Sequence, residues 1–186
     1  MVPIVALWQP IVVAALLVFF LSSLLHMVFT YHRSDYRQLP NESELLDGMR
    51  RAGLTPGLYF FPYSKDGHEM ASPELQEKFR KGPVGSLTVM PSGAPAMPKL
   101  LALWFGFSLL VGFFVAYIAG RTVAPGAHYL TVFRVAGATA FMAYGVAHVA
   151  DSIWKGQTWS ATAKAVVDGL LYSLVTAGAF GWLWPR

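Results

Sequence analysis

The chain has 186 residues, of which 55% are hydrophobic and 13% are charged, and its mean hydropathy is +0.47. A soluble domain usually carries about twice this share of charged residues. The chain has no cysteine, which excludes disulfides, thiolate metal sites and cysteine nucleophiles. The net charge of +4 does not indicate a nucleic-acid partner, because the basic residues lie mostly in one segment between apolar blocks.

Four apolar blocks are each long enough to cross a bilayer, which takes roughly 20 residues of α-helix. The pattern predicts an all-α membrane protein, a four-transmembrane-helix bundle. The predicted organisation is transmembrane helix 1 in residues 1–30, a basic loop with two short helices in 31–98, and transmembrane helices 2 to 4 in 99–186. The four blocks run over Ile4–Thr30, Leu100–Gly120, Tyr129–Trp154 and Ala161–Trp184.

The first block differs from a signal peptide in two respects. No Lys or Arg precedes Arg33, and the apolar run from Val2 to Thr30 is far longer than the hydrophobic region of a signal peptide. We therefore expect it to be a retained membrane span.

The loop contains signals for local structure. Asn41-Glu42-Ser43-Glu44 has the pattern of a capping box and predicts a helix to about Ala52. Ser72-Pro73-Glu74 combines an N-cap, a proline at the first helical position and an early acid, so it predicts a helix that ends near Lys81. Two further runs predict short strands, Leu58–Phe61 and Ser86–Met90.

The connections between the spans predict an orientation. Short connections join spans two and three and spans three and four, which favours antiparallel neighbours. Eleven Lys or Arg then lie on the side of the long loop and three on the side of the termini, so the positive-inside rule predicts a cytoplasmic loop and external termini. Aromatic residues near the span ends are predicted to form belts, with Trp8, Trp182 and Trp184 outside and Tyr31, Trp104, Trp154 and Trp159 inside.

Small residues recur on one face of spans two, three and four. Such stripes let helix backbones approach closely, which matters because lipid provides no hydrophobic drive for helix association. The stripes predict a tight bundle or a homo-oligomer, and not a wide pore. They are Ser108, Gly112, Ala116 and Gly120 in span two, Ala136, Ala140, Ala143 and Ala147 in span three, and Gly169, Ser173, Ala177 and Gly181 in span four.

Ionisable residues within spans are costly, and here His26, His148, Asp151, Lys164 and Asp168 fall at one depth on the loop side. One interpretation is a satisfied network in which Lys164 pairs with Asp168 and Asp151 pairs with a histidine. A second is a cofactor site, haem or a metal ion, in which His26 and His148 are ligands and Asp151 is a third metal ligand or orients one. A third is a proton or ion relay.

Two other places indicate contact with lipid or a partner. His32, Arg33 and Asp35 lie in a dense polar and aromatic stretch at the exit of span one, and Arg134 lies near the outer end of span three, where it can snorkel to headgroups. No P-loop, G-x-S-x-G, H-E-x-x-H or dinucleotide fingerprint occurs, so the sequence indicates no catalytic residue. It also has no heavily charged face for nucleic acid.

Three stretches, Tyr31–Tyr36, Gly82–Gly85 and Asp151–Gly156, resemble those of a family of small bacterial inner-membrane proteins described as hypothetical. The resemblance implies a bacterial inner-membrane protein and no activity. With the orientation predicted from the Lys and Arg residues, the termini are expected in the periplasm. We expect an accessory or interaction subunit of a membrane complex. The alternatives are a haem- or metal-binding redox membrane protein and a small oligomeric ion or solute transporter.

Overall fold

The computed structural model describes all 186 residues and is 69% helical. The chain forms two compact units, Met1–Tyr36 together with Pro95–Arg186, and Arg37–Ala94. The elements in chain order are α1 (Trp8–Met27), α2 (Glu42–Arg51), β1 (Gly57–Phe61), α3 (Gly67–Met70), α4 (Pro73–Lys81), β2 (Gly85–Val89), α5 (Met97–Thr122), α6 (Tyr129–Tyr144), α7 (Val149–Lys155) and α8 (Trp159–Trp182), with 3₁₀ turns at Ile4–Leu7, Tyr31–Asp35 and Val146–His148.

Four helices are long and apolar enough to cross a membrane, which confirms that part of the sequence prediction. All four belong to the first unit. The first joins the 3₁₀ turn Ile4–Leu7 to α1, and the third joins α6 to α7 through the turn Val146–His148. They span Ile4–Met27, Met97–Thr122, Tyr129–Lys155 and Trp159–Trp182.

The four helices pack as a bundle in which α8 contacts α1 and α6, and α5 contacts the same two helices. The centre holds side chains with no exposed surface, such as Val18, Val115 and Phe180. Many large apolar side chains face outward instead, including Phe20 at 69% and Met142 at 62% exposure. A soluble domain rarely exposes so large an apolar surface, so the outer face suits a hydrocarbon environment.

The small residues of α5 and α8 lie where the prediction required, at helix contacts. Ser108, Gly112, Ala116 and Gly120 are all buried. A Cβ on Gly120 would lie 2.7 Å from the carbonyl oxygen of Val2, whose N–H donates to the Gly120 carbonyl at 2.8 Å. The stripe therefore brings the chain before α1 against the end of α5.

The third apolar helix is interrupted at Gly145, which the sequence analysis did not predict. A Cβ on Gly169 of α8 would lie 2.5 Å from the Gly145 backbone nitrogen, so the two backbones are in direct contact there. Ala136 and Ala140 are buried as predicted, but Ala147 is exposed. Because the helix breaks at Gly145, residues beyond it no longer continue the face that carries the alanines.

Two tryptophans predicted for the aromatic belts lie inside the bundle. Trp184 is 8% exposed and its Nε1 donates to the Ala124 carbonyl at 2.9 Å. Trp104 donates to the Ser22 hydroxyl at 2.8 Å. Each indole N–H has found a partner within the protein, as buried tryptophans usually do. The other tryptophans predicted for the belts are exposed: Trp8, Trp154, Trp159 and Trp182.

The second unit, Arg37–Ala94, contains α2, α3, α4 and the two strands. The strands pair antiparallel, with Leu58 opposite Thr88 and Phe60 opposite Ser86, and both were predicted to within one residue. The Ser72 hydroxyl accepts from the Leu75 N–H at 3.3 Å, which confirms the predicted N-cap of α4.

The capping box at the start of α2 is not formed. Asn41 has φ 50° and its side chain makes no capping hydrogen bond, so α2 begins at the predicted residue, Glu42, but from a left-handed backbone without the predicted cap. The single-turn helix α3 was not predicted, and the Asp66 carboxylate caps it by accepting from the Glu69 N–H at 2.9 Å.

Candidate functional site

The polar residues at one end of the bundle come from two segments, the 3₁₀ turn Tyr31–Asp35 and the first turns of α8. The turn follows α1 after three residues and is closed by the Ser34 hydroxyl, which donates to the Tyr31 carbonyl at 3.0 Å. It places its side chains against Lys164 and Asp168, which are one helical turn apart on one face of α8. We call Tyr31, His32, Asp35, Lys164 and Asp168 the polar ring.

Asp168 is the deepest member of the polar ring, with 4% of the residue exposed. One carboxylate oxygen accepts from the Tyr31 hydroxyl, and the other accepts from His32 Nε2 at 2.7 Å. A buried carboxylate needs such partners because burial without them is strongly unfavourable. The Tyr31 pKa is raised, first by burial and then by the hydrogen bond to Asp168 and by the negative charges of Asp168 and Asp35, so this hydroxyl stays a donor.

His32 joins the two carboxylates of the polar ring. Its Nδ1 donates to Asp35 at 2.7 Å while its Nε2 donates to Asp168 at 2.7 Å. A neutral imidazole has only one N–H, so this double contact fits the imidazolium form. Burial lowers the pKa of His32, but the hydrogen bonds and the charges of the two aspartates outweigh it, and the pKa lies above its ordinary value.

Lys164 closes the ring. Its three ammonium protons have three acceptors: Asp35 Oδ1 at 2.5 Å, the Ser34 hydroxyl at 2.7 Å and the Tyr31 carbonyl at 2.8 Å. The hydrogen bond from Lys164, followed by the one from His32, holds the pKa of Asp35 below its ordinary value.

The polar ring is therefore charge-balanced and uses its own hydrogen-bonding capacity. Two carboxylates face one ammonium and one imidazolium. The hydrogen bonds run in an unbroken cycle from Tyr31 to Asp168, His32, Asp35, Lys164 and back to the Tyr31 carbonyl. Fully satisfied polar networks of this kind make a structure rigid and specific.

His26 borders the ring and completes the group that comes nearest to a metal site. One nitrogen or oxygen atom each of His26, His32 and Asp168 lies within 4.8 Å of the others. However, the rings of His26 and His32 are stacked, with centroids 4.6 Å apart and planes 10° from parallel. A metal ion lies near the plane of each imidazole that binds it, about 2.0–2.1 Å from the nitrogen. Two parallel planes cannot both contain the ion.

Metal binding would also have to displace existing hydrogen bonds. The His32 Nε2 proton is donated to Asp168, and His26 Nδ1 lies 3.0 Å from the Ser22 carbonyl. The two imidazole rings therefore stack on each other, each is hydrogen-bonded to another residue, and the arrangement does not fit a metal ion.

The structure does not bring His148 and Asp151 to His26. His148 Nδ1 lies 3.9 Å from Asp151 Oδ2, and Asp151 pairs with Lys155 at 2.7 Å. The ligand set expected from the sequence, His26 and His148 with Asp151, is thus not assembled; His26 lies beside His32 and Asp168 instead. Lys164 and Asp168 do not pair with each other either; each binds the turn after α1.

The partners of these two residues come from a stretch that the sequence analysis had assigned to lipid or partner contact. His32 and Asp35 bind α8, while Arg33 remains exposed, as does Arg134 in α6. The density of polar and aromatic residues from Tyr31 to Asp35 was the signal for a site. The sequence did not predict that the turn folds back onto α8.

An aromatic layer lies next to the ring, one turn further along α8. Tyr172 packs against Trp104 and Tyr144, with ring centroids 5.9 and 5.7 Å apart. Its hydroxyl is buried and has no hydrogen-bond partner within the chain. An unpartnered buried hydroxyl costs about 1–3 kcal/mol, so this tyrosine weakens the bundle.

Comparisons of the chain with protein-family models, with curated proteins and with solved structures gave no match.

Proposed function

We propose that this protein is a multi-pass membrane protein that serves as an accessory subunit, with Arg37–Ala94 as the unit that binds a protein partner. The membrane placement is supported by the four long apolar helices and by the outward-facing apolar side chains of the bundle. The distribution of Lys and Arg supports an orientation with the second unit in the cytoplasm of a bacterium and both termini in the periplasm.

The polar ring supports a structural role at this end of the bundle. The chain enters the second unit at Arg37, two residues after Asp35 of the ring. Tying the turn Tyr31–Asp35 to α8 fixes the point at which the chain leaves the bundle. If this turn were flexible, the segment that leads into the second unit would have to become ordered when a partner binds, which costs free energy.

The observation that carries the proposal is the exposed face of the antiparallel β1–β2 strand pair. Leu58 is 72% and Phe60 is 49% exposed, and their neighbours across the pair are Thr88 and Ser86. A two-stranded sheet is at best marginally stable alone, and both of its outer edges leave backbone groups unpaired. Strand addition to such an edge, with apolar side chains in pockets, is a common mode of protein recognition.

The rest of the second unit also supports a partner of protein chemistry. Leu75 is its only fully buried residue, so its own core contributes little stability. A partner that covers the β1–β2 strand pair would bury further apolar surface. The unit carries seven Lys or Arg and seven Asp or Glu. This balance gives no net attraction to an anionic lipid surface.

The proposal is tested by site-specific photo-crosslinking in membranes. A photoreactive amino acid at Leu58 of the full chain is expected to give one discrete protein adduct, and the same label at exposed Glu74 of α4 is expected to give far less. Leu58→Ser together with Phe60→Ser is expected to lower the recovered partner on the order of tenfold or more, as loss of an apolar anchor does. Adducts with lipid alone, or equal adducts at both positions, would contradict the proposal.

A further inference from the structure

The opposite end of the bundle contains a surface cavity of about 360 Å³. Small-molecule sites run from about 300 Å³ upward, so the cavity is large enough for a small polar group. Its walls are the segment before α1 and the last turns of α5. The lining residues are Met1, Val2, Pro3, Ile4, Tyr117 and Arg121.

The hydrogen bond from the Val2 N–H to the Gly120 carbonyl fixes one wall of the cavity against the other. Tyr117 and Arg121 are one helical turn apart on α5, and the Arg121 guanidinium lies 5.6 Å from the centre of the Tyr117 ring. This arrangement holds the arginine over an aromatic surface at the mouth of an apolar cavity, with its hydrogen-bond donors free.

The charged side chains at this end have one sign. Arg121 makes no ion pair within the chain, and the exposed Arg134 lies at the same end, near the start of α6. No Asp or Glu occurs before Asp35, between Met97 and Ala150, or after Asp168. A guanidinium without a carboxylate partner suits a phosphate group, which it binds with two parallel hydrogen bonds.

We propose that this cavity binds the headgroup of an anionic phospholipid, with the lipid phosphate on Arg121. The proposal rests on the proposed membrane placement, which puts the last turn of α5 at headgroup depth. Exposed apolar side chains next to the cavity, Val5 at 84% and Trp8 at 60%, would then lie beside the acyl chains and the interface. Aromatic residues favour that position.

The test measures lipid binding to purified full-length protein in mild detergent, by native mass spectrometry. Phosphatidylglycerol is compared with phosphatidylcholine and with inorganic phosphate. We expect phosphatidylglycerol to bind at least tenfold more tightly than phosphatidylcholine. Arg121→Gln is expected to remove this difference, and Arg134→Gln, which changes the same charge at the same end but outside the cavity, is expected to keep it.

Three results would overturn the lipid site: equal binding of the two lipids, an unchanged preference in Arg121→Gln, or equal loss in both variants. Inorganic phosphate that competes as well as the lipid would also overturn it, since the site would then hold free phosphate. If Arg121→Gln fails to fold, Arg121→Lys replaces it. An ammonium does not bind phosphate bidentately, so we expect affinity to fall at least threefold, and unchanged affinity contradicts the site.

The failure of this inference is distinguishable from that of the membrane placement. A protein that washes off membranes at alkaline pH contradicts the membrane placement. A protein that stays in the membrane and shows no preference for phosphatidylglycerol contradicts the lipid site alone.

Discussion

Replacing Asp168 by asparagine tests whether the polar ring holds the bundle together. The asparagine keeps the size of the side chain but removes the charge and one of the two acceptor atoms. The His32 imidazolium and the Tyr31 hydroxyl, both now bound to Asp168, can no longer both be satisfied.

The expected loss follows from the two hydrogen bonds. A hydrogen bond to a charged group contributes about 1.5–3 kcal/mol, and removing one partner of a buried ion pair costs about 3–5 kcal/mol. His32 is 21% exposed on its side chain, so solvent recovers part of this. We expect a loss of about 2–4 kcal/mol, which in a chain of this length lowers Tm by roughly 4–16 °C.

Asp151→Asn is the matched control. Asp151 lies at the same end of the bundle, but its side chain is 29% exposed and its partner Lys155 is 68% exposed. Exposed ion pairs contribute about 0–1 kcal/mol, so this variant should unfold within a few degrees of the wild type. Thermal unfolding in one detergent, followed by circular dichroism, compares the two. Equal Tm values for Asp168→Asn and Asp151→Asn would refute the structural role of the ring.

Three further predictions concern stability. Because the pKa of His32 is raised in the folded protein, its contribution to the free energy of unfolding is fully present below its ordinary pKa of about 6.5 and is lost as the pH rises through the folded-state pKa. Tm should therefore fall from pH 6.5 upward, and a His32→Gln variant whose Tm depends on pH as steeply as that of the wild type would contradict this. Gly169→Ala places a methyl group 2.5 Å from the Gly145 backbone nitrogen and should destabilise by about 1–3 kcal/mol. Gly106→Ala in α5, with nothing within 4 Å, should stabilise by up to about 1 kcal/mol, and a Gly169→Ala variant that is as stable as Gly106→Ala would show that the contact is not tight. Tyr172→Phe removes an unpartnered hydroxyl and should leave Tm unchanged or raise it, while Tyr31→Phe loses the hydrogen bond to Asp168 and should lower Tm. A lower Tm for both variants would mean that the Tyr172 hydroxyl has a stabilising partner.

The helices and strands were largely readable from the sequence because their signals are local. Long, mostly apolar runs predicted the four long helices, and Ser72 with Pro73 predicted the start of α4. The two strands, though not their pairing, followed from two short runs of strand-forming residues. Each of these features depends on a residue and its near neighbours.

The features that the sequence analysis missed depend on contacts between distant residues. Gly145 interrupts the third helix where Gly169, 24 positions later, brings α8 against it. Trp104 is half-buried, and its indole N–H donates to the Ser22 hydroxyl across the bundle. The polar ring joins residues more than 120 positions apart. Lys164 and Asp168 on one side and His32 and Asp35 on the other were therefore recognised as candidates, but their pairing was not.

The most direct test of the membrane topology is cysteine labelling, since the chain has no cysteine of its own. Single cysteines are placed at Ser43 in α2, Ala124 between α5 and α6, and Gln157 between α7 and α8, all exposed positions. A membrane-impermeant maleimide should label Ala124→Cys in intact cells, and Ser43→Cys and Gln157→Cys only after the membrane is opened. Labelling of Ser43→Cys and Ala124→Cys from the same side would contradict a chain that crosses the membrane four times with Arg37–Ala94 on one side.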